Sequence, residues 1–393
     1  MVNRDATRMA FKFVILLGLV SLFADITYEG ARSITGPYLA LLGASATTVG
    51  LVCGFGELLG YTLRFISGYI SDKTKRYWLI TIIGYIVNLL AVPLLALAGR
   101  WEIAAVLMIT ERIGKAIRTP SRDAMLSYAT KQIGRGRGFG LHEAMDQIGA
   151  MLGPLIVAAV LFIKGDYKIS FAVLLLPALL AIVVLGVAKY RYPRPKDLEK
   201  VSFVLESKNF PRIFWIYLIA VSFVAAGYVD FPLIAYHFKK TSLVSDNWIP
   251  IFYALAMGVD ALAAFLFGYL FDRKGASVII FAVLLSVFFT PLVFLGNFYS
   301  CLLGIALWGI GMGAQESIMR AGIAGMVAVD KRGSAYGIFN AGYGFFWFFG
   351  SMLMGVFYDL SVYILVMFSV AVQLISIPFF IMIRNNNLSK KMI

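Results

Sequence analysis

The sequence predicts an all-α integral membrane protein with twelve transmembrane helices in two similar bundles of six. Of its 393 residues, 60% are hydrophobic and only 14% are charged, with a mean hydropathy of +0.84. A soluble domain carries about 25% charged residues. A loop sequence that occurs twice, 200 residues apart, indicates the two halves. Lys and Arg residues are concentrated in alternate turns, as expected when a chain crosses a bilayer repeatedly.

Apolar stretches of membrane-crossing length are the first of these observations. A helix that spans a bilayer needs about 20 mostly apolar residues. Twelve stretches meet this condition, and we number them spans 1–12: 10–39, 46–71, 77–99, 102–129, 136–163, 168–189, 212–238, 247–271, 276–296, 299–328, 333–357 and 361–383. Spans 3 and 12 contain no charged residue, whereas several others are interrupted by charges. These interruptions are where function is expected.

The distribution of Lys and Arg predicts the orientation. If the N-terminus is inside, the turns after even-numbered spans and both tails hold 23 of the 35 Lys and Arg residues, and the opposite turns hold 5. Cytoplasmic loops are enriched in these residues. We therefore predict cytoplasmic termini and a multi-pass protein of the plasma (inner) membrane. The net charge of +14 then belongs to cytoplasmic loops, and we expect no nucleic-acid partner.

An internal repeat defines the domain organisation. Gly-Tyr-Ile-Ser-Asp at 68–72 recurs as Gly-Tyr-Leu-Phe-Asp at 268–272, and each copy lies between two apolar runs. A repeat of this kind fixes the architecture. The one long loop, 190–211, carries both signs of charge and three Pro residues. We therefore predict an N-terminal bundle at 1–189, a cytoplasmic linker and a C-terminal bundle at 212–393.

The first copy of the repeat resembles a known motif. Gly68-x3-Asp72-Lys73-x2-Arg76 is similar to the loop between helices 2 and 3 of the major facilitator superfamily, with Lys75 where a Gly is usual. The resemblance covers essentially the whole chain. It implies a fold of two six-helix bundles that rock around a central site, as in many secondary transporters.

Two further segments are similar to motifs of that family. Gly140-x8-Gly149-x3-Gly153-Pro154 resembles the helix 5 motif associated with antiporters, without its trailing pair of Gly residues. Residues 111–114, Glu-Arg-Ile-Gly, resemble the helix 4 motif. The resemblance implies a drug/proton-antiporter-like protein. We expect Gly149, Gly153 and Pro154 to permit close packing or bending of span 5.

The loop motif also implies a cytoplasmic gate formed by Gly68, Asp72, Arg76 and Asp123. By resemblance, Asp72 would meet free backbone N–H groups at the start of span 11. Arg76 would pair with Asp123 at the cytoplasmic end of span 4. These contacts would close the cytoplasmic side and stabilise the outward-open state.

Charged residues on span 1 are candidates for transport chemistry. Asp25, Glu29 and Arg32 have the spacing of one helix face. Ionisable residues inside a bilayer are costly and normally face a cavity or pair with one another. The two carboxylates either bind substrate or a proton, or they neutralise the bases of span 4. The two roles are compatible.

Span 4 presents a continuous basic stripe. Arg112, Lys115, Arg118 and Arg122 are spaced by 3, 3 and 4 residues. Arg side chains suit carboxylates and phosphates because their N–H groups form a fork. The stripe therefore indicates either an anionic substrate or ion pairs with the acids of spans 1 and 5.

Span 5 and the second half add further candidates. Glu143 and Asp146, three residues apart, are predicted to share a face and to carry protons. A carboxylate buried among apolar groups holds a proton more readily, and a nearby Arg opposes this. His142 is expected nearer the cytoplasmic interface. Asp230 on span 7 and Glu316 on span 10 complete the set of substrate or proton candidates.

These observations predict proton-coupled efflux of a small organic solute by a functional monomer. We expect no cofactor and no resident metal, and no enzyme motif is present. One alternative is import or exchange of an organic anion through the basic stripe. Another is divalent metal export with Asp25, Glu29, Asp230 and His237 as ligands. A receptor or scaffold would not need charges on so many spans.

Overall fold

The computed structural model describes residues 4–193, 210–324, 326, 327 and 332–391, and all regular secondary structure in these residues is helical. The first six spans are Arg4–Leu41, Ala46–Thr74, Tyr77–Leu94 with the short turn Leu95–Leu97, Trp101–Ile133, Arg135–Lys164, and Tyr167–Val173 followed by Leu175–Arg191. The last six are Arg212–Gly227 with Phe231–Thr241, Trp248–Lys274, Ala276–Ser286 with Phe289–Leu295, Phe298–Glu316 with Ile318–Ala324, Arg332–Leu360, and Val362–Lys391. The predicted all-α class is confirmed.

In the part of the chain that the structure describes, eleven spans are long and apolar enough to cross a membrane. The remaining one is Trp101–Ile133, the span that carries the basic stripe. It crosses span 3 closely, because a Cβ on Gly84 would lie 2.6 Å from the backbone N of Arg118, and one on Gly114 would lie 2.3 Å from the backbone N of Asn88. Small residues at a crossing let two helix backbones approach. Span 4 is therefore held by its neighbours despite its charges.

The chain forms two compact units. The first contains Met1–Thr35 and Leu59–Phe203, and the second contains Gly36–Leu58 and Val204–Ile393. The end of span 1 and the start of span 2 thus group with the second half of the chain. Residues 194–209 of the predicted linker lie outside the described residues.

Backbone contacts explain why residues 36–58 belong to the second unit. A Cβ on Gly36 would lie 1.9 Å from the carbonyl oxygen of Pro232. A Cβ on Gly50 would lie 2.2 Å from the carbonyl oxygen of Ser351. Contacts this short exclude any side chain at either Gly. They hold the end of span 1 against span 7 and the start of span 2 against span 11.

A carboxylate at the end of span 11 caps the start of span 2. Asp359 Oδ2 accepts hydrogen bonds from the backbone N–H and the hydroxyl of Thr47, at 2.8 and 2.7 Å. Its Oδ1 accepts from the backbone N–H of Ala46 at 3.2 Å. The first N–H groups of a helix have no partner within that helix, and a negative charge there is favourable. Asp359 supplies the cap from a helix distant in sequence.

Replacing this cap is expected to destabilise the protein. Asp359→Ala should lower the free energy of unfolding by about 1–2 kcal/mol, because two backbone donors and one hydroxyl lose their acceptor. Denaturation of the purified protein in mixed micelles would measure this. Asp246→Ala serves as the control, since it removes only the partly exposed pair with Lys239, which should contribute less than about 1 kcal/mol. Equal losses from both variants would contradict the capping role.

Span 7 is broken, whereas the sequence was expected to form one helix over 212–238. The first helix ends at Gly227 and the second begins at Phe231, so Tyr228, Val229 and Asp230 are not helical. Pro232 lies in the first turn of the second helix. A Pro is tolerated in the first turn but breaks a helix interior, which is the physical reason for the correction.

Side chains of neighbouring spans donate hydrogen bonds to the backbone carbonyls that this break leaves without a helical partner. The Gly227 carbonyl accepts from Ser369 Oγ at 2.6 Å and from Gln373 Nε2 at 3.1 Å. The Val229 carbonyl accepts from Trp308 Nε1 at 2.9 Å. Irregular backbone at membrane depth is tolerated only when other groups satisfy it in this way.

The two copies of the repeated loop both end at a residue with positive φ. Lys75 has φ = 58° and Gly275 has φ = 57°, and each lies seven residues after the first Gly of its copy. This left-handed region suits Gly and strains most other residues. The departure from the family pattern at Lys75 therefore falls at the position where the backbone favours Gly.

Candidate functional site

A cluster of charged side chains lies inside the first unit, on spans 1, 4 and 5, with polar contributions from span 3. Asp25, Glu29 and Arg118 are only 5%, 8% and 1% exposed. Such burial of charged groups is expensive unless they pair or bind something. The contacts of each member therefore indicate what it does.

Glu29 and Lys115 join span 1 to span 4. Lys115 Nζ lies 3.8 Å from Glu29 Oε1 and 3.9 Å from the centre of the Tyr28 ring. The ammonium group therefore has an anionic partner and an aromatic face. This contact brings together one acid and one base that the sequence singled out.

Arg112 pairs within its own span. Arg112 Nε lies 3.4 Å from Glu111 Oε2. Asn88 on span 3 donates through Nδ2 to Glu111 Oε1 at 2.7 Å and to the Glu111 carbonyl at 3.0 Å. Sequence reasoning missed Asn88. The signal that could have found it is an amide within the charge-free span 3.

Arg122 connects span 4 to span 1. Its guanidinium contacts Asp123 Oδ1 at 2.8 and 2.9 Å, and Nη1 donates to Ser21 Oγ at 2.9 Å. Ser21 in turn hydrogen-bonds to Asp146. The expected pair between Arg76 and Asp123 does not form among the described residues, because Asp123 is engaged by its chain neighbour Arg122.

Arg118 lies beside two aromatic rings. Its Cζ is 4.3 Å from the centre of the Tyr85 ring and 5.6 Å from that of Tyr28. Within the described part of the chain, Nε and Nη1 have no hydrogen-bond partner. Tyr28 and Tyr85 are uncharged and were missed in the sequence, although Tyr28 follows Asp25 by three residues.

Asp25 and Asp146 are the two acids of the cluster that pair with no Lys or Arg among the residues described. They interact electrostatically with one another. Asp25 hydrogen-bonds to Tyr28, while its Oδ1 has no described partner. Asp146 Oδ1 lies 3.9 Å from Nδ1 of His142. His142, which was expected near the interface, is 4% exposed and belongs to the cluster.

Glycines at the crossing of spans 1 and 5 bring these acids together. A Cβ on Gly149 would lie 2.5 Å from the carbonyl oxygen of Leu22, and one on Gly153 would lie 2.4 Å from that of Ile26. The obstacles are backbone atoms, so any side chain would force the helices apart. This close crossing places Asp25 near span 5.

Two predicted candidates lie on exposed surfaces of their units. Glu143 is exposed, whereas Asp146 on the same helix is largely buried. Glu316 is exposed, whereas the adjacent Gln315 is buried. Consecutive residues on a helix point in different directions. Glu143 and Asp146 are three residues apart and thus neighbours on the surface of their helix, but they differ in exposure.

The second unit contains a polar and aromatic cluster around the break in span 7. Asp230 is 3% exposed and accepts a hydrogen bond from Trp347 Nε1 at 3.4 Å. Tyr343 donates through its hydroxyl to Gln315 Oε1 at 3.0 Å. The Tyr343 and Trp347 rings pack with their centres 5.5 Å apart. Phe345 and Phe346, on the same helix, are exposed.

The predicted gate loop contacts span 4. Asp72 Oδ1 accepts from the Tyr77 hydroxyl at 3.1 Å, and Ser71 Oγ lies 2.6 Å from Ser121 Oγ. A Cβ on Gly68 would meet the Pro120 side chain at 3.5 Å, an ordinary contact. The loop is therefore anchored to span 4.

The described residues contain no metal site that would support the metal-export alternative. In the described ranges, no group of three or more His, Cys, Asp or Glu residues could hold a metal ion. The proposed set of Asp25, Glu29, Asp230 and His237 is not such a group. His237 instead makes a hydrogen bond between Nδ1 and the Tyr358 hydroxyl at 3.0 Å.

Known relatives match nearly the whole chain. The chain is 41% identical over 382 residues to the uncharacterized protein Rv2265 of Mycobacterium tuberculosis, covering 95% of this chain and 93% of the relative. It is 25% identical over 370 residues to the uncharacterized MFS-type transporter MJ1317 of Methanocaldococcus jannaschii, covering 91% and 92%.

Solved structures share the fold. A bacterial homologue of the human lysosomal transporter Spinster matches with a TM-score of 0.75 at 15% identity, covering 97% of this chain and 98% of that one. The nucleoside transporter NupG matches with a TM-score of 0.72 at 12% identity, covering 96% and 98%. The sequence model described as Major Facilitator Superfamily matches residues 17–243, more than half of the chain. This multi-pass membrane protein is thus a transporter rather than an enzyme, and it belongs to the Major Facilitator Superfamily.

Proposed function

We propose that the protein is a proton-coupled secondary active transporter that exports a small organic solute, with Asp25 and Asp146 as its proton carriers. The observation that carries this proposal is that buried Asp25 and largely buried Asp146 interact with one another, while neither forms an ion pair with a Lys or Arg among the described residues. Two carboxylates that interact in a low-dielectric site do not both ionise readily, so such a pair can hold a proton. The pair is thus a place to load and release a proton.

The surroundings of the pair support a coupled mechanism. Asp146 is linked through Ser21 to Arg122, while Asp25 lies at the close crossing of spans 1 and 5. In this family plan, the halves rock around a site near the middle of the bilayer. Rocking would expose the pair to each side in turn. The partial antiporter motif on span 5 supports export in exchange for protons.

Reconstituted liposomes would test the coupling and its direction. Charge movement after concentration jumps of organic anions, cations and neutral solutes would identify a transported solute. That solute should then accumulate in liposomes with an acidic interior, and a protonophore should abolish the accumulation. Accumulation in alkaline liposomes would contradict exchange with protons. Transport that is indifferent to the pH gradient would contradict proton coupling altogether.

We also propose that Asp72, with Gly68 and Arg76, belongs to a gate that closes the cytoplasmic side. Asp72→Asn should slow transport and shift the protein toward the inward-open state. The reason is that the neutral side chain interacts more weakly with backbone N–H groups. Labelling of single-Cys variants from the cytoplasmic side would measure the shift. Asp272→Asn, at the equivalent position of the second copy, is the control. The same shift in both variants, or in neither, would refute the gate.

A further inference from the structure

Arg118 differs from the rest of the basic stripe on span 4. The other three members each have a carboxylate partner: Lys115 with Glu29, Arg112 with Glu111, and Arg122 with Asp123. No carboxylate forms an ion pair with Arg118 among the described residues. Asp25 interacts with it electrostatically without forming such a pair.

The contacts of Arg118 are with aromatic rings, and they leave some of its N–H groups unpaired. The centres of the Tyr85 and Tyr28 rings lie 4.3 and 5.6 Å from its Cζ, which favours a cation at this position. Nε and Nη1 have no hydrogen-bond partner in the described part of the chain.

Such unpaired donors are unusual for a side chain that is only 1% exposed. Buried donors nearly always have a partner, and a buried charge is costly without one. The aromatic contacts also keep the guanidinium plane in place, which reduces the ordering needed when a partner binds. The oxygen atoms of an anion would accept hydrogen bonds from such donors.

We propose that Arg118 binds the oxyanion head group of the transported solute, a carboxylate or phosphonate-type group, through the N–H groups of its guanidinium. This inference rests on the proposed function, because it names the substrate class for the same cluster. Tyr85 and Tyr28 act as positioning residues that fix the guanidinium plane. Asp25 remains the proton carrier beside the bound anion.

Ligand binding to the purified full-length protein in detergent would test this assignment. We expect benzoate and phenylphosphonate to raise the thermal unfolding temperature in a saturable way, and neutral benzamide to leave it unchanged. Arg118→Gln should weaken anion binding about tenfold or more, since a charge-assisted hydrogen bond is lost. Arg118→Lys should fall in between, because Lys keeps the charge but lacks the fork. Arg100→Gln, which changes an exposed pair with Glu102, is the control and should bind both anions as the wild type does.

A second variant covers the case in which Arg118→Gln does not fold. Tyr85→Leu keeps the guanidinium and removes its closest ring. It should therefore weaken the binding of both anions, and benzamide should still not bind. The assignment is overturned if neither anion stabilises the wild type, if benzamide stabilises it equally, or if the Arg118 or Tyr85 variants bind anions normally. These measurements use no pH gradient, so their outcome is separate from that of the coupling experiment in liposomes.

Discussion

Gly153→Ala is expected to destabilise the protein strongly, although it adds only one methyl group. The new Cβ would lie 2.4 Å from the Ile26 carbonyl oxygen and 2.9 Å from the Gly30 backbone N. No rotamer change can relieve these contacts, because both obstacles belong to the backbone of span 1. Overpacking of this kind costs about 1–3 kcal/mol, and Gly153→Leu should prevent correct folding. Thermal unfolding and the monodisperse yield after size-exclusion chromatography would measure both effects.

Gly140→Ala is the matched control for this experiment, since it lies on the same helix. A Cβ at Gly140 would meet nothing within 4 Å, and Ala is a better helix former than Gly by about 1 kcal/mol. The control should therefore leave stability unchanged or raise it slightly. If Gly153→Ala were as stable as Gly140→Ala, the close crossing of spans 1 and 5 would be refuted.

Asp25→Asn is expected to abolish gradient-driven accumulation while leaving the protein folded. The amide retains the size of the side chain and can still hydrogen-bond to Tyr28, but it cannot take up and release a proton. Without that step, a pH gradient has no differential effect on the two states of the transporter. With the membrane potential clamped at zero, the accumulation ratio of the transported solute in acid-loaded liposomes should therefore fall to unity. Downhill exchange of the same solute should persist.

Glu102→Gln is the control for this substitution. Glu102 is an exposed acid at the start of span 4, paired with Arg100 at 2.9 Å, and its replacement should leave accumulation intact. Retention of a full pH-driven gradient in Asp25→Asn would show that another group carries the proton. A protein that accumulates nothing and also loses downhill exchange would point instead to damage at the substrate site.

Most span positions were predictable because the length of an apolar run determines them. The predicted span 2 starts at residue 46 and span 3 at residue 77, as in the structure. The break in span 7 was not predicted, because Gly227 and Asp230 sit within a run that is apolar overall. Pro232 was the only local signal for the break. The hydrogen bonds that satisfy its backbone come from Ser369 and Gln373, which are distant in the sequence.

The charged residues of the site were predictable from the sequence. The helical spacing of the basic stripe identified Arg118 and Arg122, and the buried acids of span 1 followed from the cost of charge in a bilayer. Which base pairs with which acid depends on helix crossings that spacing does not fix. The environment of Arg118 is made by uncharged Tyr28 and Tyr85, so no charge pattern could reveal it.

The assignment of residues 36–58 to the second unit has a consequence for proteins expressed in two pieces. A chain cut within the loop at 190–211 would divide the sequence between its halves. The N-terminal fragment would then carry Gly36, Gly50 and Thr47 without the Pro232, Ser351 and Asp359 that contact them. Neither fragment would contain a complete unit. Co-expressed fragments should therefore complement and purify together, whereas either fragment expressed by itself should be degraded.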